Sequence, residues 1–531
     1  MLSNSQIITI SILLISLIIG SKYISKLLSS DSIDDEYEYK PRVRSLTEKY
    51  SKEYDLVIVG TGLSGLTSAY QAYLLSKNTR ILILESSSTY GGESIKDIDG
   101  INFLNSPLEK KENIYDNSNS YYNDTNTYGR KDGSPDLIQI LVDNSYDLYN
   151  FYTNELKANF RSLVLTEGSL IKRTHFPNNN ETAGYYLINL LYKKLINIPT
   201  VKFIFNATAI DLLTLENGNG TINGLIYETV ENNLQKKNHT VITKSIILAT
   251  GGYGHDYNTE DSLLKKHSTS LHKYPTFNSQ YIKGWGIKMA NKIGANLVSM
   301  RNVEVYPTCF VNNFDRYNRE KILAPLELLK IGGILIHQRL KRFINELTNR
   351  YRLTNNILKH CDIVADPAII RQYEAYLIIN EKFVIGHENI IKPYEEKYLK
   401  KYSSLKEFAE QYGKKEYYKN LEKAISDYNT NNTYDRYGRD DRPYFDINSP
   451  VYVGVVTPCI FHTLGGLKVN KKAEVVKEEE TEVINGLFAA GEVIGNVHGG
   501  SVLPGNALTQ SGVFGRIAAK SAIEYILNKT N

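Results

Sequence analysis

The amino-acid sequence predicts an α/β protein whose first folded unit is a Rossmann-like dinucleotide-binding domain, and three observations predict it. Tyr54 to Val59 (YDLVIV) is a short apolar run, rich in β-branched residues, that reads as a buried strand. It feeds directly into Gly60-Thr-Gly62-Leu-Ser64-Gly65, after which a helix-like stretch runs to Leu75. A second apolar strand, Arg80 to Leu84, then ends in Glu85, twenty residues beyond Gly65.

Each element of this unit has a chemical reason. Gly60 makes the tight turn, Gly62 lets backbone approach a pyrophosphate, and Gly65 lets helix and strand pack closely. The helix N-terminus, with Ser64 in its first turn, offers free N–H groups and a partial positive charge to phosphates. Glu85 stands where a carboxylate accepts hydrogen bonds from the ribose hydroxyls of adenosine. On these residues alone the ligand is NAD or FAD.

Composition limits the remaining classes. Apolar residues make up 42% and charged residues 23% of the 531, which argues against wholesale disorder and against a multi-span membrane protein. The net charge of +4 is spread out, with no basic stripe interleaved with aromatics, so no nucleic-acid partner is expected. Cys309, Cys361 and Cys459 lack CxxC spacing and a neighbouring His cluster, which argues against a metal site or a disulfide framework. They read as buried thiols, with a redox pair of Cys309 and Cys459 as the alternative.

The aliphatic run Ile7 to Ile19 makes residues 1–30 an expected signal or membrane anchor, and the charged residues 31–53 an expected polar tether. Lys22 and Lys26 follow the run, which by charge would leave the body cytosolic, whereas seven Asn-x-Ser/Thr triplets suit a secretory lumen. The expected location is the endomembrane system (endoplasmic reticulum) or the mitochondrion, with membrane contact through the N-terminal segment. Lys110 to Ser134, rich in Asn, Ser, Tyr and Asp, reads as a surface loop.

Further segments carry a resemblance. Tyr90-Gly-Gly92-Glu-Ser94 leading to Gly100-Ile-Asn102 is similar to a GGNS…GIN segment. Ser245 to Gly252 (SIILATGG) ends a strand in an ATGG turn, and Gly486 to Glu492 (GLFAAGE) ends another in an acid. Val497 to Leu508 (VHGGSVLPGNAL) is similar to HGANRLGGN(A/S)L. In this order, the segments resemble the soluble FAD-dependent fumarate reductases, both yeast-type enzymes and the flavoprotein domain of flavocytochrome c.

The resemblance implies a two-dinucleotide-type flavoprotein with a Rossmann-like FAD-binding domain at 54–299 and 456–531, and an inserted α+β capping domain at 300–455. It implies FAD contacts from Gly60, Gly62, Ser64, Gly65, Glu85, Gly92, Ser94, Thr250, Gly251, Gly252, Glu492, Asn506 and Leu508. No histidine in an S-H-T context follows the first acidic strand, so the FAD is expected to be non-covalent. Haem-attachment and iron–sulfur motifs are also lacking, so a soluble reduced-flavin or nicotinamide donor is expected to supply electrons. Within the cap, Asn380 to Asp427 reads as solvated helical faces.

The family's chemistry uses two histidines and an arginine to grip a dicarboxylate, and a second arginine to deliver the proton. Here HPTG becomes Tyr306-Pro-Thr-Cys309, and the E-x-x-R-G-x-G-G segment becomes the one-residue-shorter Glu327-Leu-Leu-Lys330-Ile-Gly-Gly333, which sets Lys330 opposite the proton-delivering arginine if the lost residue is its glycine, or Leu329 if the gap lies elsewhere. HxTMGG becomes Phe461-His462-Thr-Leu-Gly-Gly466, and the arginine of HGANR becomes Val502. Losing two buried, charge-assisted contacts, each about 1.5 to 5 kcal/mol, would weaken fumarate by on the order of thousands-fold. The expected catalytic residues are therefore Lys330, Tyr306 and His462, with His498 in reserve. They would act on the C=C bond of a small unsaturated acid or enone with a more apolar body. Two alternatives stand beside this: a degenerate FAD-binding paralogue acting as a binding or scaffold protein, and a fumarate reductase with a rebuilt site.

Overall fold

The computed structural model describes residues 53–177, 181–215, 220–230, 235–364, 366, 368–430, 435–479 and 482–529. The expected N-terminal anchor and nearly all of the tether lie outside these residues. Among the described residues no helix is long and apolar enough to cross a membrane.

The chain enters along β1 (Glu53–Val59), turns into α1 (Leu63–Leu75) and returns through β2 (Ile81–Leu84). After α2 (Ser118–Tyr128) come β3 (Val201–Ile204) and β4 (Lys236–Leu248). The second layer holds β5 (Val303–Phe310), α3 (Arg350–His360), β6 (Ala375–Asn380) and β7 (Val451–Thr463). The chain closes with β8 (Val483–Ala489) and α4 (Asn506–Asn528).

Strands β8, β4, β1, β2 and β3 lie side by side in that order, all parallel, with Val57 opposite both Leu82 and Ile246. A parallel sheet is covered on both faces, so its strands must be apolar throughout, and Leu56 to Ile58 and Ile81 to Leu84 are all buried. Helix α4 supplies one cover and is buried along most of its length. It crosses α1 where Gly515 meets Ser68, whose hydroxyl donates to the carbonyls of Ser64 and Gly515 at 2.7 and 2.9 Å.

The second sheet is antiparallel: β5 pairs β7, and β7 pairs β6 and Leu399–Tyr402. Strand β7 runs through residue 455 to Thr463 and carries Phe461 and His462 back toward the first sheet. Asn380 to Asp427 is more broken than its charge pattern suggests, with helices Glu381–Val384, Glu388–Ile391, Leu405–Gln411 and Tyr418–Asn429 around the strand Leu399–Tyr402.

Two sequence expectations are corrected. Lys110 to Ser134 is not a surface loop, because α2 lies within it and buries Tyr121, Asp124 and Thr125. Its polar face is satisfied from far along the chain. Buried Arg173 donates to Asp116 and Asp124 at 2.6 and 2.5 Å, and the Tyr121 hydroxyl donates to Asn506 at 2.7 Å. The cysteine expectation is also overturned: Cys309 and Cys459 form a disulfide with a Cα separation of 6.0 Å. They are 150 residues apart and become neighbours only because β5 and β7 pair.

Candidate functional site

A cavity of about 280 Å³ runs from the end of β1 to the start of α4, and its wall contains most of the residues that the sequence singled out. Gly60 (φ +112°) turns the chain at the strand end, where any Cβ would run into the Ala249 carbonyl. Gly65 is held against the Gly60 carbonyl in the same way, so the glycines fix the approach of α1 to β1. At Gly62 a Cβ would meet only the Ser94 hydroxyl, at 3.5 Å, and would otherwise stand in the cavity. Helix α1 has no cap from its own N-cap residue Gly62 and no acidic residue in its first turn; the Leu63 amide donates to the Ser94 hydroxyl at 3.2 Å, and the terminus suits an anionic ligand.

Glu85 closes β2 at one end of the cavity. Its carboxylate accepts from the Thr61 amide and hydroxyl at 3.0 and 2.5 Å, and from the Ser87 amide at 2.8 Å, which fixes its direction. Gly92, Ser94, Thr250, Gly251, Gly252, Glu492 and Leu508 also line the wall. Asn506 does not. Its amide bonds Asn102, Tyr121 and Thr125 at 2.8, 2.7 and 3.0 Å, so it ties α4 to α2 instead of facing the cavity.

The cavity fits a flavin dinucleotide on its own chemistry. The Thr250 hydroxyl and His498 Nδ1, on two lining residues, are buried without a hydrogen-bond partner among the described residues. Such orphans are costly unless a ligand satisfies them.

At the far end the wall becomes apolar, with Phe277, Leu323, Phe461 and Val502. Phe461 packs edge-on between Phe277 and Tyr306, with ring centroids 5.7 and 5.2 Å away. The Cys309–Cys459 bridge is buried in the same cluster. His462 faces the cavity with Nδ1 3.4 Å from Glu492. Glu492 also accepts from the Thr463 amide and hydroxyl, both at 2.9 Å. Burial works against a charged imidazole here, but the Glu492 carboxylate outweighs it and lifts His462 to about 9. His498 bonds the Gln510 side-chain amide at 2.6 Å, and burial pulls it down to about 4.

Two expected catalytic groups are not brought to the cavity. Lys330 stands in solvent with its side chain 57% exposed, 3.6 Å from Glu327. The short turn Glu327–Lys330 points it outward, because Leu328 and Leu329 take the buried side. Tyr306 is sealed beneath Phe461, and burial raises its phenol far above the usual range.

Sequence reasoning missed Arg350. This buried guanidinium lies 5.1 Å from the Tyr306 ring and 5.9 Å from the Phe461 ring, and donates to both oxygens of Asp99 at 2.8 and 3.1 Å. The available signal was a cation opening a helix behind the cap residue Asn349, where the helix dipole disfavours positive charge.

With this geometry in place, comparison with known proteins is direct. Residues 55–508 match the family described as FAD binding domain. The chain is 30% identical over 480 residues to Fumarate reductase 1 of Saccharomyces cerevisiae, spanning 88% of this chain and 98% of that protein. It is 29% identical over 485 residues to Fumarate reductase of Schizosaccharomyces pombe, spanning 89% and 90%. A structure described as the open conformation of a flavocytochrome c3 fumarate reductase superposes with a TM-score of 0.75 at 26% identity, covering 90% of this chain and 79% of that one. A parallel sheet ending in a glycine-lined cavity, an inserted antiparallel sheet and these matches over most of both chains agree: the protein belongs to the FAD-dependent fumarate reductase family, as a divergent member.

Proposed function

We propose that the protein is an FAD-dependent oxidoreductase that reduces the C=C bond of a small conjugated substrate bearing at most one carboxylate. The observation that supports this reading is the wall formed by Phe277, Leu323, Phe461 and Val502, with the His462 imidazole beside it. Gly60, Gly62, Ser94, Thr250 and Glu85 would hold the dinucleotide, and Glu492 the region of the ribityl chain, without a covalent bond. Bound FAD would supply hydride transfer at N5, recharged by a soluble reduced-flavin or nicotinamide donor.

His462 has the role of a charged donor. An imidazolium pinned by Glu492 beside an apolar wall can stabilise negative charge that develops on a substrate carbonyl oxygen, and a dry site strengthens that contact. Arg350 would act from behind Tyr306 and Phe461 by holding the cap residues against Asp99, which precedes Gly100. Val502 offers no cation for a second carboxylate. Its backbone N–H is taken by Glu304 at 3.1 Å, which puts a buried negative charge where the family resemblance implies an arginine.

A second reading has its own support. Tyr306 and Phe461 are nearly inaccessible and pack on one another, as expected of a paralogue that keeps FAD but no longer turns over. One experiment separates the two readings. The flavin of the purified holoprotein is reduced with dithionite, and its reoxidation is followed with fumarate, monocarboxylate enoates, enones and oxygen. The reductase reading expects an enoate or enone to outpace fumarate by about a hundredfold or more. Reoxidation by oxygen alone would establish the paralogue, and fast reoxidation by fumarate would establish a rebuilt fumarate site.

A further inference from the structure

We propose that Asp97 sets specificity at the apolar end of the cavity, where its carboxyl group turns away carboxylate-bearing molecules and donates a hydrogen bond to the carbonyl oxygen of an uncharged α,β-unsaturated ketone or aldehyde. This rests on the C=C reductase reading and narrows it, from substrates with at most one carboxylate to substrates with none.

The case begins with charge pairing. Three cations stand around this end, and each has its own carboxylate: Lys96 with Glu93 at 3.1 Å, His462 with Glu492 at 3.4 Å, and Arg350 with Asp99 at 2.8 Å. Asp97, like Glu304, has no ion-pair partner among the described residues. It lines the cavity beside Ile98, Phe461 and His462, and among the described residues its hydrogen bond is one accepted from the Asp99 amide at 2.9 Å. Glu304, buried behind Val502, adds a further negative charge to this end. An entering carboxylate would find every cation already neutralised and Asp97 facing it, which is an arrangement that selects by repulsion.

The same surroundings let Asp97 act as a donor. Burial first, and then the charge of Asp99, push its carboxyl up to about 7. His462 on β7 and Arg350 on α3 pull the other way and do not prevail. The helix Ala183–Leu195 presents Gly184 there, so closely that a Cβ would lie 3.3 Å from the Asp97 Cβ. A neutral carboxylic acid donates its proton in a hydrogen bond to a carbonyl, whereas an ionised one repels a carboxylate. Both properties favour the uncharged ligand.

The test uses the oxidised holoprotein, with flavin absorbance as the binding readout and cyclohexenone, crotonate and fumarate as probes. The expected order is cyclohexenone first, with crotonate and fumarate weaker by about tenfold or more. Asp97→Asn, which keeps a donor and drops the charge, should retain cyclohexenone and gain crotonate by about tenfold. Asp97→Ala should lose cyclohexenone by a similar factor. Wild-type cyclohexenone binding should weaken as pH rises through about 7, where Asp97 ionises, and Asp97→Asn should be flat. Infrared titration supplies a readout apart from ligand: a protonated-carboxyl C=O band below pH ~7 in the difference between wild type and Asp97→Asn, which cancels the Glu109 carboxyl that titrates in the same range. Crotonate binding the wild type as well as cyclohexenone, an unchanged preference in Asp97→Ala, or no such band would overturn the inference. Binding of none of the three probes would overturn both it and the reductase reading. Cyclohexenone binding without reoxidation of the reduced flavin would overturn the reductase reading alone.

Discussion

At the scale of single residues, the site is decided by what each charged side chain finds to pair with. Lys330 holds the position that sequence similarity can set opposite a proton-delivering arginine, yet among the described residues its ion-pair partner is Glu327 on the same exposed turn. Lys330→Met is therefore expected to leave flavin content and the rate of substrate-driven flavin reoxidation within about twofold of the wild type, since exposed ion pairs contribute little. A loss of turnover with the yellow colour retained would return Lys330 to the mechanism. Glu109 illustrates a buried group with a measurable pH signature. It accepts from the Ser106 amide at 2.6 Å, its other oxygen has no partner among the described residues, and burial pushes its carboxyl up to about 7. Because the folded value exceeds the unfolded one, Glu109 contributes stability at low pH that is lost as pH rises through about 7. Nearby His175, pulled down to about 4 by burial, works in the opposite sense, as the unfolded chain takes up its proton first on acidification. Glu109→Gln leaves His175 unopposed. Its urea midpoint should fall further than that of the wild type between pH ~7.5 and pH ~5, and parallel slopes would contradict this assignment.

Among the elements, the glycine turn is the most demanding. Gly65 touches the Gly60 carbonyl and Gly60 touches that of Ala249, so β1, α1 and the ATGG turn after β4 are mutually in contact with no room for a methyl group. Gly65→Ala is expected to push α1 off the strand, lower the thermal midpoint by several degrees and release FAD, as read by calorimetry and by flavin in the flow-through of a desalting column. Retention of full flavin content would mean that α1 can shift without cost. Helix α2 shows why one element escaped sequence reading. Its buried face carries Tyr121, Asp124 and Thr125, whose partners Arg173 and Asn506 are 49 and 385 residues away from the groups they bond. A hydrophobic period cannot reveal a helix that docks through polar contacts. By contrast, Leu56 to Val59 of β1, all of β2 and Ile246 to Leu248 of β4 were legible because strand segments covered on both faces must be apolar.

For the whole molecule, the sequence by itself determined the fold class, the family and the residues that shape the glycine end of the cavity. Gly60, Gly62, Gly65 and Glu85 lie within thirty residues of one another, and backbone sterics dictate both their identity and their spacing. The other end of the site was settled by tertiary structure. Phe277, Leu323, Phe461 and Val502 come from four distant stretches, and Cys309 meets Cys459 only across a strand pair. Arg350 and Asp99, 251 residues apart, join there as well. Charge pairing and burial depend on which surfaces the two sheets bring together. No local pattern records that Lys330 is solvated, that Tyr306 is sealed, or that Asp97 lines the cavity with no ion-pair partner among the described residues.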